Sequence, residues 1–418
     1  MTINSDWVKI LKRGTPGAFS AKCPSKPRVV FIDGQIKLMC GSYIKTWAQF
    51  FTTQFVGTVE NAFATGAEVV VLGFDDYAFV PAAKNMTQAK RSRAVPVLAF
   101  DELDELPPCI PECWADCIRN RTFKAKVIAF VLRNLRRHYA SEYLRTVVID
   151  WTGPPEVLGK PIVLPALFSS GEALKRGECD IKAFAWLELG PTLLVSTDDD
   201  FVPLALAQIE KQAIAHPVYI HRMICRTEGP GKRKADGSHK REFEFVDMQK
   251  LLLFVCAEFA QVPRPARTFA TMVALTGCDF SMTLPGAGPS KVWQQRRWAS
   301  SHDITEVAGL LAFVARMYTS VFSKHISTVG LGLDSPQLAD VVRAYDKLSA
   351  SVKKSHGVAL RTKSAFWEGA RMQAHVRNSL WTLAYWTDVH AFPDPLAGEH
   401  GFERRGKLVA FGGVYKAA

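Results

Sequence analysis

Four short apolar runs, each stopping at acidic residues, constrain the fold of this chain more than any other feature of its sequence. The runs are RVVFID ending at Asp33, AEVVVLGFDD ending at Asp75 and Asp76, LRTVVID ending at Asp150, and TLLVSTDDD ending at Asp198, Asp199 and Asp200. Runs of roughly four to six aliphatic and β-branched residues, without polar alternation, are typical of parallel strands buried on both faces. Because helical patterns such as IKAFAWLELG lie between the runs, the sequence predicts an α/β fold with a mainly parallel central sheet flanked by helices.

The acids fall where the strands end, and that placement bears on function. In parallel sheets, ligands bind beyond the carboxyl ends of the strands. Adjacent carboxylates repel one another and lose hydration when they are partly buried, so three in a row are costly. Such a cluster is tolerable where cations neutralise it. We therefore expect several strands to deliver carboxylates to one edge of the sheet, around bound cations.

The charge balance favours a polyanionic partner. Lys and Arg together number 52 against 40 for Asp and Glu, which gives a net charge of +12. This balance points to nucleic acid first and to a membrane surface second, with a merely solvated basic surface as the alternative. No apolar run approaches the roughly 18 residues of a membrane span, and the N-terminus lacks the apolar core of a signal peptide. The nine scattered cysteines then indicate reduced thiols, so we expect an intracellular protein without a membrane partner.

Two stretches are strongly basic. Residues 84–145 begin with KNMTQAKRSR, pass through the acidic DELDELPPCIPE and continue with RNRTFKAKVIAFVLRNLRRHYASEYLR. The last part interleaves basic residues with an apolar stripe, which predicts a long basic helix that either is solvated or contacts nucleic acid. Residues 228–241, EGPGKRKADGSHKR, predict a flexible loop or hairpin tip that is an import signal, a phosphate contact or a solvated loop. By contrast, residues 301–418 show helical periodicity and predict a helical region without chemistry.

Seven acids make up a candidate metal-ligating set. They are Asp33, Asp75, Glu178, Asp180, Asp198, Asp200 and Asp279. Glu178 and Asp180 stand near the start of a helix, so capping of that helix is an alternative role for this pair. The chain offers no evident Ser-His or Cys-His nucleophile, whereas oxygen-rich sites hold Mg²⁺ or Mn²⁺. Two such ions about 4 Å apart activate water and stabilise the leaving oxygen in phosphodiester hydrolysis, so a basic protein with this set is a nuclease candidate.

A glycine-rich turn follows the last of these acids. In the stretch TGCDFSMTLPGAGPSKVW, Gly286 and Gly288 permit tight turning, and Lys291 follows at the start of a predicted helix. Turns of this kind present backbone N–H groups to phosphate. The stretch therefore predicts a contact with the backbone of a nucleic acid.

These segments together resemble the flap endonuclease/XPG family of structure-specific 5′-nucleases, whose members have a PIN-like nuclease fold. The matching segments, in the family's order, are the opening stretch through VVFIDGQIKLM, then VVVLGFDDYAFVPAAKNMTQAKRSR, then GECDIKAFAWLELGPTLLVSTDDDF, and finally ALTGCDFSMTLPGAGPSKVW. The resemblance covers roughly residues 1–300. It divides the chain into a nuclease domain in two parts (1–83 and 146–282), a helical arch (84–145), a helix–turn–helix (283–300) and the helical C-terminal region (301–418).

The resemblance implies a role for each motif. The seven acids would hold two Mg²⁺ ions, some through water, with Mn²⁺ as a substitute, and Lys84 and Arg91 would neutralise the scissile phosphate. Lys90 and Arg93 are rivals for the role of Arg91, because the spacing from Asp75 is stretched. The arch would pass a 5′ single strand, and residues 285–295 would grip duplex DNA with a K⁺ ion. The residues expected to contact nucleic acid are Tyr43, Lys90, Arg93, Arg121, Lys124, Arg133, Arg136, Arg137, Gly286, Gly288, Ser290 and Lys291.

The chain also departs from the family pattern. Thr2 stands where the family has Gly, and Met39 stands where the family has a base-stacking tyrosine, for which Tyr43 is the substitute one turn on. Asp199 is an extra acid that either supports the site or points away from it. The interval from Asp200 to Asp279 is long, and no sliding-clamp motif is evident at the C-terminus.

The expected function is a Mg²⁺-dependent 5′ flap endonuclease or 5′–3′ exonuclease on branched DNA, in replication, repair or recombination. We expect a monomer in the nucleus or at a site of DNA replication. Two alternatives stay open: cleavage of RNA by the same fold, and a catalytically silent protein that binds nucleic acid. Phosphate contacts carry no base information, so sequence does not separate these substrates.

Overall fold

The computed structural model of the chain describes most of the region before residue 322 and parts of the remainder. The described residues are 3–38, 44–76, 106–168, 177–225, 241–278, 288–321, 351, 369–387, 400, 402–405 and 408–411. The strands within these ranges are β1 (Phe19–Ser20), β2 (Val29–Asp33), β3 (Val69–Gly73), β4 (Thr146–Asp150), β5 (Glu156–Gly159), β6 (Thr192–Val195), β7 (Val218–Cys225), β8 (Arg241–Asp247), β9 (Phe402–Arg405) and β10 (Leu408–Phe411).

Helices connect most of the strands. Those within the same ranges are α1 (Ile3–Gly14), α2 (Gly34–Leu38), α3 (Trp47–Phe50), α4 (Gly57–Ala64), α5 (Trp114–Cys117), α6 (Arg121–His138), α7 (Cys179–Lys182), α8 (Phe201–Lys211), α9 (Met248–Glu258), α10 (Pro265–Thr276), α11 (Pro289–Gln294), α12 (Arg296–Ala299), α13 (Val307–Val321) and α14 (Gly369–Thr387). A π-helical segment, Phe51–Val56, makes α3 and α4 continuous. Short 3-10 segments are Pro16–Ala18, Ala166–Phe168 and Ala183–Leu189.

The predicted α/β class is confirmed, and the sheet is mixed. Its eight strands lie in the order β1-β8-β7-β6-β2-β3-β4-β5. The inner strands β7, β6, β2, β3 and β4 pair in parallel, whereas the pairs β4–β5, β7–β8 and β8–β1 are antiparallel. The apolar runs of the sequence thus form the parallel centre of the sheet. Antiparallel strands lie at both of its edges, β5 at one and β8 with β1 at the other.

The chain reverses its direction of travel across the sheet at β2. It runs outward from β2 to β3 and β4, and then crosses back to add β6 and β7 on the other side of β2. The crevice between the carboxyl ends of β2 and β6 is therefore the topological switch point of the sheet, where ligands of open α/β sheets bind.

Both faces of the central strands are covered, which explains the absence of polar alternation in their sequences. All five residues of β2 are buried. Val29 and Phe31 face one core, which also contains apolar residues of α1, α8, α9, α10 and α14. Val30 and Ile32 face a second core, which contains residues of α4, α5 and α6.

Helix α6 belongs to this second core. Phe123, Val127 and Leu135 are buried against it, and Asn120 caps the helix by accepting a hydrogen bond from the N–H of Phe123 at 2.9 Å. The basic helix predicted within the arch region thus packs on the sheet as part of the crossover from β3 to β4. The other part of the predicted arch, residues 84–105, lies outside the described residues.

Helix α14 is the main described element of the C-terminal region. It packs against α10, α13 and α8. The Gln208 side chain donates a hydrogen bond of 2.6 Å to the carbonyl of Trp386. The C-terminal helix therefore lies directly on the core that supports the sheet.

Candidate active site at the carboxyl edge of the sheet

The described members of the acid set come from four places around the switch point, the ends of β2, β3 and β6 and the start of α7. Asp33 is the last residue of β2, Asp75 follows β3 by two residues, and Asp198 and Asp200 follow β6. Glu178 immediately precedes α7, yet its side chain makes no capping hydrogen bond, so capping does not explain this acid. The order of the strands therefore brings these carboxylates to the carboxyl edge of the sheet.

Asp33 and Asp75 each accept a hydrogen bond from a backbone N–H group. The N–H of Gln35 donates to Asp33 Oδ1 at 2.9 Å, and the N–H of Cys179 donates to Asp75 Oδ1 at 3.0 Å. The second bond ties the start of α7 to the end of β3, although 104 residues separate the partners in sequence. The local fold therefore fixes two carboxylates and places Glu178 beside one of them.

The electrostatics of Asp33 show that these acids act on one another. Asp33 is only 8 % exposed. Burial raises its pKa to about 7, and the negative charges of Asp75 and Asp198 push the pKa in the same direction, against the hydrogen bond from Gln35. When neighbouring negative charges raise the pKa of a carboxyl group in this way, a cation placed among the carboxylates stabilises their charged forms.

A glycine allows the close packing behind this site. A Cβ added at Gly73, the last residue of β3, would lie 2.3 Å from the Phe31 ring and 2.8 Å from the sulfur of Cys179. Both neighbours are fully enclosed. Only glycine therefore lets α7 approach the strands that carry Asp33 and lead to Asp75.

The three adjacent acids after β6 have separate environments. Asp198 is exposed and accepts a hydrogen bond of 3.1 Å from the N–H of Asp200, while its own N–H donates to Ser196 Oγ. Asp199 turns away and forms an ion pair with Arg222 of β7. The two flanking acids thus stay at the edge of the sheet, and the middle acid does not belong to the site.

Asp199 is the end of a chain of alternating charges. Arg222 also binds Glu244 of β8 at 2.8 Å, and Glu244 pairs with Lys12 of α1. Burial raises the pKa of Asp199, and Arg222 opposes that shift. The network anchors the loop after β6 to β7, β8 and α1, which accounts for an acid that the family pattern does not contain.

A buried lysine supports the loops that carry the acids. Lys182 of α7 is 2 % exposed and donates hydrogen bonds to the carbonyls of Phe74, at 2.9 Å, and Trp151. Its Nζ lies 3.7 Å from Asp150 Oδ1, and the indole of Trp186 donates to the other oxygen of Asp150 at 3.0 Å. Lys182 therefore clamps the chain after β3 to the chain after β4, a role that sequence analysis missed.

The C-terminal helix also reaches the acids. Tyr385 of α14 is buried, and its pKa is raised well above the ordinary value by burial and by the carboxylate of Glu178, with smaller effects of Asp180 and Asp75. The C-terminal region thus places a phenolic hydroxyl near Glu178, and the prediction that residues 301–418 carry no chemistry stays a prediction. A lone tyrosine in the apolar stretch SLWTLAYWT gives no sequence signal for that placement.

Several predicted site residues lie outside the described residues. These are Asp279, Tyr43, Lys84, Lys90, Arg91, Arg93 and Gly286. The chain leading to Asp279 is described: α10 ends at Thr276, whose hydroxyl accepts a hydrogen bond of 2.8 Å from the indole of Trp7. The roles of all seven residues stay predictions.

The predicted nucleic-acid contacts that are described fall on two surfaces. On α6, Arg121, Arg133, Arg136 and Arg137 are exposed, and Lys124 is half-buried. The guanidinium of Arg136 binds Glu156 of β5 through bonds of 2.8 to 3.0 Å, so it is engaged within the protein. At the start of α11, Gly288 and Ser290 are exposed and Lys291 is half-buried.

The donor chemistry of the acid set fits a hard cation, but the geometry is not that of a finished metal site. Within the described ranges, no group of three or more His, Cys, Asp or Glu side chains is arranged to hold an ion. The carboxylates of Asp33, Asp75 and Asp198 nevertheless act on one another electrostatically. Oxygen donors of this kind suit Mg²⁺ or Mn²⁺ better than zinc.

Comparison with known proteins yields no family assignment: no protein-family model matches the chain, and a search of curated proteins finds no match either. Among the described helices, none combines the length and the apolar character that crossing a membrane requires. What the structure defines is an α/β protein with an acidic switch point.

Proposed function

We propose that this protein is a divalent-metal-dependent 5′ nuclease with a PIN-like fold, acting on flaps and other branches of DNA. The observation that carries the proposal is the placement of Asp33, Asp75 and Asp198 after the carboxyl ends of β2, β3 and β6 around the switch point, where the charges of Asp75 and Asp198 help to raise the pKa of Asp33. The sequence resemblance supplies the substrate class, and the net charge of +12 supports a polyanionic partner.

The proposed chemistry divides the work among residues of this chain. Asp33, Asp75, Glu178, Asp180, Asp198 and Asp200 would hold two Mg²⁺ ions together with Asp279. When bound, the ions supply Lewis acidity that activates water and neutralises charge on the leaving oxygen. Lys182 keeps the loops after β3 and β4 in register, and the Tyr385 hydroxyl would act on Glu178 from α14. We assign the neutralisation of the scissile phosphate to Lys84 and Arg91, with Lys90 and Arg93 as the alternatives to Arg91.

The proposal extends to the setting of the reaction. The protein would act as an intracellular monomer where DNA is replicated or repaired, with duplex DNA on residues 285–295 and a K⁺ ion at that turn. The exposed face of α6, with Arg133 and Arg137, would lie beside the nucleic acid. RNA is the alternative substrate of the same chemistry.

The second candidate function is a catalytically silent protein that binds nucleic acid with the same fold. The lack of a finished metal site within the described ranges is the observation that favours it. The carboxylates would then be a remnant of the site, and binding would depend on the basic surfaces alone.

Cleavage of a 5′-labelled DNA flap separates the two candidates. We expect the protein to cut near the junction with Mg²⁺ and to be inactive with a chelator, and we expect Asp200→Ala to lower the rate by more than roughly 100-fold. Asp6→Ala is the matched control, because Asp6 is a half-exposed acid on α1. If the native protein cuts neither DNA nor RNA flaps, while it and both variants still bind them, the catalytically silent function replaces the nuclease.

A further inference from the structure

Two cysteine side chains lie in contact at the short helix α5, away from the candidate active site. Cys113 directly precedes α5 and Cys117 ends it, and both are free thiols. Their sulfur atoms are 3.4 Å apart, and the N–H of Cys117 donates a hydrogen bond of 3.1 Å to the carbonyl of Cys113. Since a disulfide bond has a sulfur–sulfur distance of about 2.05 Å, closing this pair requires a shift of about 1.3 Å.

The two thiols differ in their access to solvent. Cys113 is exposed, whereas Cys117 is 0 % exposed. Burial and, after it, the hydrogen bond and the charge of Cys113 raise the pKa of Cys117 to about 12. Reagents in solution therefore reach Cys113 first, and the buried thiol is held beside it as the group that can complete a bridge.

The residue after Cys113 ties α5 to the core. Trp114 is 3 % exposed, and its indole N–H donates a hydrogen bond of 2.8 Å to the carbonyl of Leu38. Its ring packs on Trp47 and Phe50, with centroids 5.9 Å and 5.2 Å away. A hydrogen bond of this kind is lost beyond about 3.5 Å, so a shift of about 1 Å in the turn around Trp114 is enough to break it.

This tie ends on the helix that follows Asp33. Leu38 is the last residue of α2, and α2 begins directly after Asp33. The N–H of Gln35, within α2, donates to the Asp33 carboxylate at 2.9 Å. Helix α2 is thus held near its start by an acid of the candidate site and at its end by Trp114.

We propose that Cys113 and Cys117 form a dithiol site that exchanges with low-molecular-weight disulfides and closes to a disulfide bond, which releases Trp114 from Leu38. The inference goes beyond the proposed function and does not depend on it. The site responds to the ratio of thiol to disulfide around the protein, and α2 is the element on which it acts.

The exchange proceeds in two steps. The Cys113 thiolate attacks one sulfur of the external disulfide, forms a mixed disulfide and expels the other sulfur as a thiolate. Cys117 then loses its proton to water and attacks the Cys113 sulfur, which expels the second external thiolate. The two protein sulfurs lose two electrons, the external disulfide gains them, and the two protons of the protein thiols end on the released thiolates. An excess of external thiol reverses both steps.

The test maps the bridge in the full-length protein. The protein is equilibrated with reduced and oxidised glutathione at several ratios, its free thiols are trapped with N-ethylmaleimide, and its peptides are analysed by mass spectrometry without reduction. We expect the loss of two alkylated thiols, at Cys113 and Cys117, and their return in excess reduced glutathione. Cys117→Ser should instead keep a glutathione adduct on Cys113, because the thiol that completes the bridge is gone.

Cys109→Ser is the matched control, because Cys109 is an exposed cysteine four residues before Cys113. This variant should form the bridge as the native protein does. Cys113→Ser, a change at an exposed position, should form neither bridge nor adduct in this stretch and serves as the second variant if Cys117→Ser does not fold.

Tryptophan fluorescence reports the release of Trp114. Closure of the bridge should shift the emission to longer wavelength, because the indole leaves a buried, hydrogen-bonded position for a wetter one. The shift should follow the bridged fraction across the glutathione ratios. Cys117→Ser should show no shift although it carries the adduct, and Trp114→Phe should form the bridge without the shift.

The inference is overturned by any of three results. These are an adduct on Cys113 of the native protein without a bridge, a bridge that Cys109→Ser abolishes, and a Cys113–Cys117 bridge that leaves the emission wavelength unchanged. None of the readouts involves nucleic acid or Mg²⁺. Failure of flap cleavage therefore rejects the nuclease and keeps the dithiol site, whereas cleavage by a protein that forms no bridge does the reverse.

Discussion

At the scale of single residues, the structure gives the three adjacent acids of VSTDDDF different tasks. Asp198 and Asp200 lie at the carboxyl edge of the sheet, whereas Asp199 forms an ion pair with Arg222. Sequence predicted the edge position of the acids, because apolar runs and their ends are local signals. It did not predict the partner of Asp199, since Arg222 and Glu244 are brought to it only by the pairing of β7 with β8.

Tyr385 supplies a prediction at this scale. Tyr385→Phe removes only the hydroxyl that faces Glu178, so we expect a change in unfolding free energy of about 1 kcal/mol or less. Flap cleavage should fall by roughly 10- to 100-fold, as is usual when a group that orients a ligand is removed. Tyr318→Phe, a change at another buried tyrosine, is the control. Unchanged cleavage by Tyr385→Phe would remove Tyr385 from the site.

Lys182 supplies a second prediction. Lys182→Met leaves Asp150 buried without its cation, so we expect a loss of about 3–5 kcal/mol in unfolding free energy, measured in urea. The double variant Lys182→Met with Asp150→Asn should recover part of this loss, because the unpaired charge is gone. Equal stability of the two variants would mean that the ion pair is not what Lys182 contributes.

At the scale of secondary structure elements, α6 and α14 show where sequence patterns succeed and where they stop. The apolar stripe of α6 predicted a helix over the right residues, and the stripe turned out to face the sheet. The periodicity of apolar residues does not reveal which part of the protein a helix will pack against. The pattern of α6 was therefore equally compatible with a helix of the predicted arch. For α14 the helix was predicted, but its delivery of Tyr385 to the acids depends on its packing against α10 and α8.

The packing of α14 on α10 gives a prediction of pH dependence. Burial lowers the pKa of His375 in α14 to about 4, and its Nε2 lies 3.4 Å from the carbonyl of Leu275 in α10. The folded protein thus favours the neutral imidazole. This contribution is complete above the unfolded pKa of about 6.5 and is lost as the pH falls towards the folded value.

We therefore expect acid to destabilise the native protein more than the variant His375→Gln, which has no proton to gain. Between pH 7 and pH 4.5, the difference in unfolding free energy should change by about 2 kcal/mol, measured by urea unfolding of both proteins. His302→Gln, at an exposed histidine, should behave like the native protein. Parallel pH profiles of the native protein and His375→Gln would contradict the assignment.

At the scale of the whole molecule, the order of the strands decides which residues can meet. The α/β class and the parallel centre followed from the four apolar runs. The switch point between β2 and β6 did not, because strand order depends on the direction of each crossover and leaves no local trace in sequence. The same order opens a cavity of about 830 Å³ beside the acids. Its aromatic wall, with His221 and Phe245, comes from β7 and β8, which sequence analysis treated only as flanks of a basic loop.

The measurement that tests the central claim most directly is thermal unfolding with Mg²⁺ and with a chelator. If the coupled carboxylates form a cation site, Mg²⁺ should stabilise the native protein, by about 2.7 kcal/mol at 100 times its dissociation constant. Asp33→Asn should melt higher than the native protein in chelator, because it removes a buried charge, and should gain less from Mg²⁺. Asp6→Asn should respond as the native protein does. A native protein that melts at the same temperature with and without Mg²⁺ would contradict the account.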